Sequence, residues 1–170
     1  MARPATLPRA ATFVRPWGRL AAHPAALALA GILAGGLLRL LRLSFQPLWF
    51  DEGYSFYFAG QSLPRLLAET AVDIHPPLYY IILKAWLAVF GSSAVAARLL
   101  SATIGCLGIA ALYLLGRRLG GSRLGLWSAL LLAIAPFHVY YSQEVRMYGL
   151  VTLFGVLAGW LALRAFDAGG

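Results

Sequence analysis

The sequence predicts an all-α integral membrane protein with about four transmembrane helices. Hydrophobic residues make up 61% of its 170 residues and charged residues only 12%, which is more apolar surface than a soluble domain of this length needs. Four apolar stretches approach the roughly 20 residues that a helix needs to cross a bilayer. They cover approximately residues 23–43, 94–115, 124–141 and 148–166.

The segment of about fifty residues between the first two spans, residues 44–93, predicts one or two helices along the membrane surface. Its first part contains YSFYFAGQSLPRLLAET, which is aromatic and amphipathic, and Pro64 favours the first turn of a short helix. Pro76 and Pro77 then precede an apolar run that ends at Gly91 and is too short for an ordinary span. The many aromatic residues of this segment are typical of the membrane–water interface.

The arginines predict which helix ends face the cytoplasm. They lie before the first span, between the second and third spans, and at the end of the fourth: Arg3, Arg9, Arg15, Arg19, Arg117, Arg118, Arg123 and Arg164. By the positive-inside rule, residues 1–22 form a cytoplasmic basic segment, and segment 44–93 and the Gln143–Arg146 turn lie outside. A signal peptide with small residues near 34–36 is the alternative for the first span. It leaves the same acidic segment outside the cytoplasm.

Several other classes of function are disfavoured. The net charge of +8 does not indicate nucleic-acid binding, because the arginines lie between apolar runs instead of on one solvated face. The glycine-rich turn GRRLGGSRLG lacks the spacing of a phosphate-binding loop, and the sequence has no HExxH or CxxC motif. The single Cys106 excludes an internal disulfide and is predicted to be a small buried hydrophobic residue.

Three groups of ionisable residues are predicted to meet on the outer face. The stretches WFDEGYS, DIHPPLYY and YYSQEVRMYG contribute Asp51 and Glu52, Asp73 and His75, and Glu144 and Arg146, respectively. Ionisable groups at a membrane are costly and are therefore candidates for a functional site. The structural alternative for the first group is a helix N-cap at Asp51, with Glu52 in the first turn.

The order of four motifs resembles the N-terminal part of bacterial polytopic glycosyltransferases. The motifs are WFDEGYS, DIHPPLYY followed by a Trp and FGSS, ARLLSATIG, and APFHVYYSQEVRMYGL. Over about residues 37–165 the chain is similar to GT-C-type enzymes related to protein O-mannosyltransferases and lipid A aminoarabinose transferases. The resemblance implies a multi-pass protein of the bacterial plasma membrane with an extracytoplasmic active face. It also implies a polyprenyl-phosphate-linked sugar as donor and a glycan, lipid or protein as acceptor.

The resemblance also implies roles for individual residues. Asp51 is the predicted general base, taking the proton of the acceptor hydroxyl as it attacks the anomeric carbon with inversion. Glu52 is predicted to position Asp51 or the acceptor. Arg146 suits the departing lipid phosphate, because its guanidinium matches phosphate oxygens. Glu144 is predicted to orient Arg146 or to contact the sugar, and His75 to donate a hydrogen bond to the phosphate.

The arginines of this site also have structural interpretations. Arg146 has the alternative of a simple ion pair with Glu144 at a helix start. Arg39 and Arg42 share one face of the first span, where they either extend to the interface or contact the donor phosphate. Arg98, at the outer start of the second span, has the same two interpretations. Arg42 is counted among the predicted substrate-binding residues.

A divalent metal ion is the cofactor that the sequence brings into consideration. A divalent ion has Asp73, His75 and Glu144 as its candidate ligands, but the first two alone make an incomplete set. The structural alternative for His75 is an interfacial histidine that precedes a helix beginning with two prolines. His23 and His138 are predicted to be structural.

The predicted domain is the N-terminal membrane part of a GT-C-type glycosyltransferase, residues 23–166. Members of the resembled family have more spans, so one alternative is a fragment that is catalytically incomplete. A second alternative is an accessory membrane subunit that binds lipid-linked sugar, in which Asp51→Asn leaves function intact. A small cation transporter ranks third, because spans two to four carry almost no ionisable residues between their ends.

Overall fold

A computed structural model describes residues 24–169, and every regular element in this part of the chain is a helix. In chain order the helices are α1 (Pro24–Leu40), α2 (Phe50–Gly60), α3 (Leu63–Thr70), α4 (Leu78–Phe90), α5 (Ala94–Ile134), α6 (Pro136–Ser142) and α7 (Tyr148–Ala168). The predicted all-α class is confirmed. The predicted basic segment 1–22 and His23 lie outside the described residues.

Two of the described helices, α5 and α7, are long and apolar enough to cross a membrane. Helices α1 and α4 are apolar but shorter, with 17 and 13 residues. The large apolar side chains of α7 are mostly exposed, among them Val151, Phe154, Leu161 and Phe166. Such a surface fits a helix that faces lipid better than one in the core of a soluble protein.

Helix α5 reverses direction near its middle and forms a hairpin of two helical arms. Gly120 and Gly121 have non-helical backbone angles, and Gly121 has a φ of 77°, a left-handed conformation that glycine adopts without steric cost. The arms approach closely where Gly116 meets Gly125. The predicted second and third spans are therefore the two arms of one hairpin.

We expect Gly125→Ala to destabilise this hairpin. A Cβ on Gly125 would lie 2.6 Å from the Tyr113 carbonyl oxygen, and overpacking of this kind costs about 1–3 kcal/mol. The thermal unfolding temperature of the purified protein should fall. Gly155→Ala is the matched control, because a Cβ on Gly155 would meet no atom within 4 Å. Equal stability of the two variants would contradict the close packing of the arms.

The predicted third span, residues of about 124–141, is broken and not continuous. The second arm of α5 ends at Ile134, and α6 begins at Pro136. Proline cannot donate the backbone N–H that would continue the helix, and its ring clashes with the preceding turn. Helix α1 is also shorter at its end than the predicted first span: it ends at Leu40, three residues before Leu43.

Segment 44–93 contains three helices instead of the one or two predicted. Helix α2 ends at Gly60, and the extended Gln61 and Ser62 separate it from α3, where Pro64 lies in the first turn as predicted. Helix α4 begins after Pro77 and ends at Gly91, again as predicted. The extra break arises because Pro64 has no N–H to donate to the carbonyl of Gly60 and its ring clashes with the preceding turn, so one helix cannot continue from α2 into α3.

The two ends of the helical bundle are held together by different contacts. At one end, Arg118 in the turn of α5 pairs with Asp167 at the end of α7, so two of the predicted arginine groups lie together. At the other end, α2, α3 and α4 pack onto the start of α5 through a shared apolar core that includes Phe58, Leu66 and Leu83. This core also contains Val145, and it holds loop 143–147 against α2.

Candidate active site

The adjacent carboxylates of Asp51 and Glu52 lie in different environments. Both belong to the first turn of α2, whose N-cap is Trp49, so the alternative of an N-cap at Asp51 is wrong. Successive helical residues point about 100° apart. The Glu52 side chain is therefore fully buried, with 0% exposure, whereas the Asp51 side chain is 37% exposed.

Glu52 forms a buried ion pair with Arg98 at the start of α5. Arg98 Nε donates to Glu52 Oε1 at 2.8 Å and Nη2 to Oε2 at 2.6 Å, the bidentate geometry that makes such pairs strong. The Val145 backbone N–H donates to Glu52 Oε1 at 3.1 Å. Arg98 also donates to three carbonyl groups of the α1–α2 connection, those of Leu43, Gln46 and Pro47.

Neither predicted interpretation of Arg98 fits this geometry. Its guanidinium is enclosed by Glu52 and backbone carbonyls, so it neither extends to the interface nor presents its charge to a lipid phosphate. Together with Glu52 it ties the α1–α2 connection, α5 and loop 143–147 to one another.

Asp51 lies beside Arg146, which comes from loop 143–147. Arg146 Nη2 lies 3.7 Å from Asp51 Oδ2, and Nη1 donates to the Asp51 carbonyl oxygen at 3.3 Å. The Ser55 hydroxyl holds the two segments together, donating to the Val145 carbonyl oxygen at 2.7 Å. Arg146 itself is buried. An exposed carboxylate and a buried guanidinium therefore share one face of α2.

His75 connects this pair to Asp73. His75 Nδ1 lies 3.1 Å from Asp73 Oδ2, and Arg146 Nη2 lies 3.1 Å from His75 Nε2. Since the guanidinium can only donate, Nε2 accepts, which assigns the ring proton to Nδ1 and its hydrogen bond to Asp73. Asp51, Asp73, His75 and Arg146 are called the Asp51 cluster below.

Glu144 is separate from the Asp51 cluster. Glu144 is 1% exposed, and the Tyr140 hydroxyl is its polar neighbour, although neither carboxylate oxygen forms a well-aligned hydrogen bond within residues 24–169. No ion pair with Arg146 forms within that part of the chain, contrary to the structural alternative for Arg146. Burial raises the pKa of the Glu144 carboxyl above its ordinary value.

Glu144 lines a cavity of about 220 Å³ that also receives Arg42. Its other lining residues are Phe45, Gln46, Arg98, Tyr140 and Gln143. Arg42 has a φ of 65°, and its guanidinium stacks on the Phe45 ring at 3.7 Å. The predicted substrate-binding residues thus form two groups, the Asp51 cluster and this Glu144 cavity. Arg98 lines the cavity, and its partner Glu52 adjoins Asp51 in the chain.

The three candidate metal ligands do not come together. The described residues contain no group of three His, Cys, Asp or Glu side chains that could hold a metal ion. Asp73 and His75 are paired with each other, and Glu144 lines a different cavity. In this arrangement both ring nitrogens of His75 are already occupied by protein groups.

Sequence reasoning did not single out Tyr80 for the site. Its hydroxyl is buried and has no hydrogen-bond partner among the described residues. Burial, opposed by the nearby charge of Arg146, raises the pKa of Tyr80 to about 12, so the phenol stays protonated and able to donate. The pair of tyrosines after HPPL was the available signal, but the sequence does not distinguish Tyr80 from Tyr79.

Arg39 is also placed differently from its prediction. Instead of lying at the membrane surface, it is fully buried against α5 and α6, where it donates to Ser142, His138 and three carbonyl groups. His138 is therefore a structural partner of Arg39, in keeping with its predicted role.

The comparison with known families identifies the group to which this arrangement belongs. The sequence profile of the dolichyl-phosphate-mannose-protein mannosyltransferase family matches residues 74–170, which is more than half of the chain. The chain belongs to this family. No curated protein and no solved structure matches the chain.

Membership of the dolichyl-phosphate-mannose-protein mannosyltransferase family agrees with the resemblance to GT-C-type glycosyltransferases. The matched region contains His75, Arg98, Glu144 and Arg146, while Asp51 and Glu52 precede it. The contacts described above are what connect the acidic pair to the matched region.

Proposed function

We propose that this protein is a membrane glycosyltransferase that moves a sugar from a polyprenyl-phosphate donor to an acceptor hydroxyl on the extracytoplasmic face. Its family supports the glycosyltransferase class. The observation that carries the mechanism is the contrast within the acidic pair. Glu52 is buried and bound by Arg98, whereas Asp51 keeps an exposed carboxylate beside Arg146. Adjacent acids in different environments are suited to different roles.

Asp51 acts as the general base in this proposal. As the acceptor oxygen attacks the anomeric carbon, its proton passes to an Asp51 carboxylate oxygen. The new bond joins the acceptor oxygen to the sugar carbon, and the bond that breaks joins that carbon to the phosphate oxygen. The lipid phosphate leaves with the electron pair, and the configuration at the sugar carbon inverts. Glu52 positions Asp51 by fixing the first turn of α2.

Arg146 and Tyr80 bind the phosphate of the donor. Arg146 Nε and the Tyr80 hydroxyl are buried donors without a partner in residues 24–169, and such groups normally have one. Phosphate oxygens are strong acceptors that a guanidinium matches well. Donors aimed at a departing phosphate stabilise the charge that develops on it in the transition state. His75 helps by accepting from Arg146 and so orienting its guanidinium.

The Glu144 cavity contributes the remaining polar contacts to the substrate. Glu144 offers carboxylate oxygens that have the Tyr140 hydroxyl as neighbour but no well-aligned hydrogen bond in the described residues, and the exposed Arg42 offers a guanidinium in the same cavity. Sugar hydroxyls both donate and accept hydrogen bonds, so they suit a carboxylate and a guanidinium together. We assign Glu144 to a sugar hydroxyl and Arg42 to the polar head of the donor.

A transfer assay with labelled donors tests the proposal. Membranes that contain the protein would be incubated with a panel of polyprenyl-phosphate hexoses and pentoses, beside membranes that lack it. We expect at least one labelled sugar to enter a membrane glycan, lipid or protein, with inverted configuration. Failure of every donor on the panel would contradict the proposed activity and favour the accessory-subunit alternative.

We expect Arg146→Met to reduce the transfer rate by about 10²–10³-fold, the effect of removing a donor that stabilises transition-state charge. Arg146→Lys should retain more activity, because it keeps the charge but loses the planar pair of donors. The initial rate at saturating donor measures both effects, at equal protein abundance in the membrane. Arg65→Met is the matched control, since Arg65 pairs with Glu69 on the exposed face of α3. Equal rates for Arg146→Met and the control would contradict the assignment.

A further inference from the structure

Arg39 is a fully buried cation with no acidic partner among residues 24–169. It lies in the last turn of α1 with 0% exposure. Its five N–H groups donate to five acceptors within 3.2 Å, namely the Ser142 hydroxyl, His138 Nδ1 and the carbonyl oxygens of Gly35, Leu132 and Ala133. Every N–H of the guanidinium is therefore used within the protein, and Arg39 has none left for a lipid phosphate.

The break before α6 explains why a cation is stable at this point. The Leu132 carbonyl would normally accept from the backbone of residue 136, but Pro136 has no N–H. The last carbonyl groups of a helix lack partners and carry the negative end of its dipole. Arg39 donates to two of these groups, at Ala133 and at Leu132, and the Leu132 carbonyl also accepts from the Ala135 N–H at 3.4 Å. These contacts add to the weak backbone hydrogen bonding of the helix end and compensate the buried charge of Arg39.

The end of α1 is capped in return by the residue after α6. Gln143 Nε2 donates to the carbonyl oxygens of Leu38 and Leu41, at 2.9 and 2.8 Å. Arg39 thus caps the second arm of α5, and Gln143 caps α1. Loop 143–147 begins at this junction and carries Glu144 and Arg146 to the candidate site.

The close approach at this junction depends on Gly105 in α5. A Cβ on Gly105 would overlap the Ser142 hydroxyl and lie 3.1 Å from Arg39 Nε. The contact of Arg39 with Ser142 therefore requires a residue without a side chain at this position.

We infer that Arg39 is a positioning residue of the candidate active site, because it fixes Ser142 and the end of α5 and thereby places loop 143–147. Its effect on catalysis rests on the proposed function, whereas its effect on the loop does not. Arg39 acts through Ser142 and Gln143 and does not touch the substrate.

Hydrogen–deuterium exchange of the purified protein in lipid nanodiscs tests this inference. In Arg39→Met we expect amide exchange in residues 143–147 to rise about tenfold or more, while α7 keeps its protection. Arg39→Lys should give a smaller rise, because lysine keeps the charge but has three donors instead of five. Arg123→Met is the matched control, in the turn at the opposite end of the bundle, and should leave exchange in residues 143–147 unchanged.

Two milder variants keep the inference testable if Arg39→Met does not fold. Ser142→Ala removes one contact of Arg39, and Gln143→Leu removes the reciprocal cap of α1. We expect both to raise exchange in residues 143–147. In transfer assays the rate at saturating donor should fall in the order in which this exchange rises.

Unchanged exchange in residues 143–147 of the folded variants would overturn the inference. A uniform rise across all helices would also overturn it, because that pattern indicates a general structural role. If the wild-type protein transfers no sugar, the proposed function fails. The exchange measurements alone then decide whether Arg39 positions the loop.

Discussion

Asp51→Asn is expected to abolish sugar transfer while the protein stays folded in the membrane. Asparagine has nearly the same shape as aspartate but cannot take a proton from the acceptor hydroxyl. Loss of a general base costs about 10²–10⁴-fold in rate. Because the Asp51 carboxylate is partly exposed and Glu52 carries the buried ion pair, the substitution should leave stability unchanged. The initial rate of transfer and the membrane abundance of the variant measure these two expectations.

Asp167→Asn is the matched control for this experiment. It makes the same chemical change at the opposite end of the bundle, where Asp167 pairs with Arg118, and we expect full activity. Transfer that survives Asp51→Asn would remove Asp51 from the mechanism and favour a binding role for the protein. Loss of transfer in both variants at equal abundance would show that the assay does not report on the candidate site.

Arg98→Met is expected to cause the largest loss of stability among single substitutions. It leaves Glu52 buried without its partner, and breaking one side of a buried ion pair typically costs about 3–5 kcal/mol. It also frees three carbonyl groups in the connection between α1 and α2. Thermal unfolding of the purified protein in detergent micelles, together with its abundance in membranes, measures the effect.

The double variant Glu52→Met with Arg98→Met separates the charge effect from the loss of packing. With both charges removed, we expect part of the lost stability to return, because apolar side chains often replace a buried pair at little cost. Arg65→Met is the control, since it breaks an exposed pair and should leave the unfolding temperature unchanged. An Arg98→Met protein as stable as this control would contradict the importance of the buried pair.

Most of the helical architecture was predictable from local features of the sequence. Apolar runs, prolines and glycines indicate where helices begin and end, and α4 and α7 agree closely with prediction. The predicted helix ends were wrong where a proline interrupted an apolar run that otherwise indicated one continuous helix. The apolar run of the third span continues past Pro136, so it predicted one helix where proline imposes two.

The candidate site was predictable as a set of residues but not as a geometry. The motifs around Asp51, His75 and Arg146 were recognisable in their order, and the structure brings these three side chains together. Glu144 belongs to the same motif as Arg146, yet it lines a different cavity, because neighbouring residues of a loop point in different directions. A sequence motif does not contain that information.

The sequence by itself determined the membrane class, the family and which ionisable residues are candidates for the site, because these depend on composition and on local motifs. Only the tertiary structure decided that Asp51 is the available acid and Glu52 the structural one. The partner of Glu52 is Arg98, 46 residues away in the chain, and no local pattern predicts that contact. The burial of Arg39 was also decided by the tertiary structure, because the helix ends around it meet only when α1, α5 and α6 pack together.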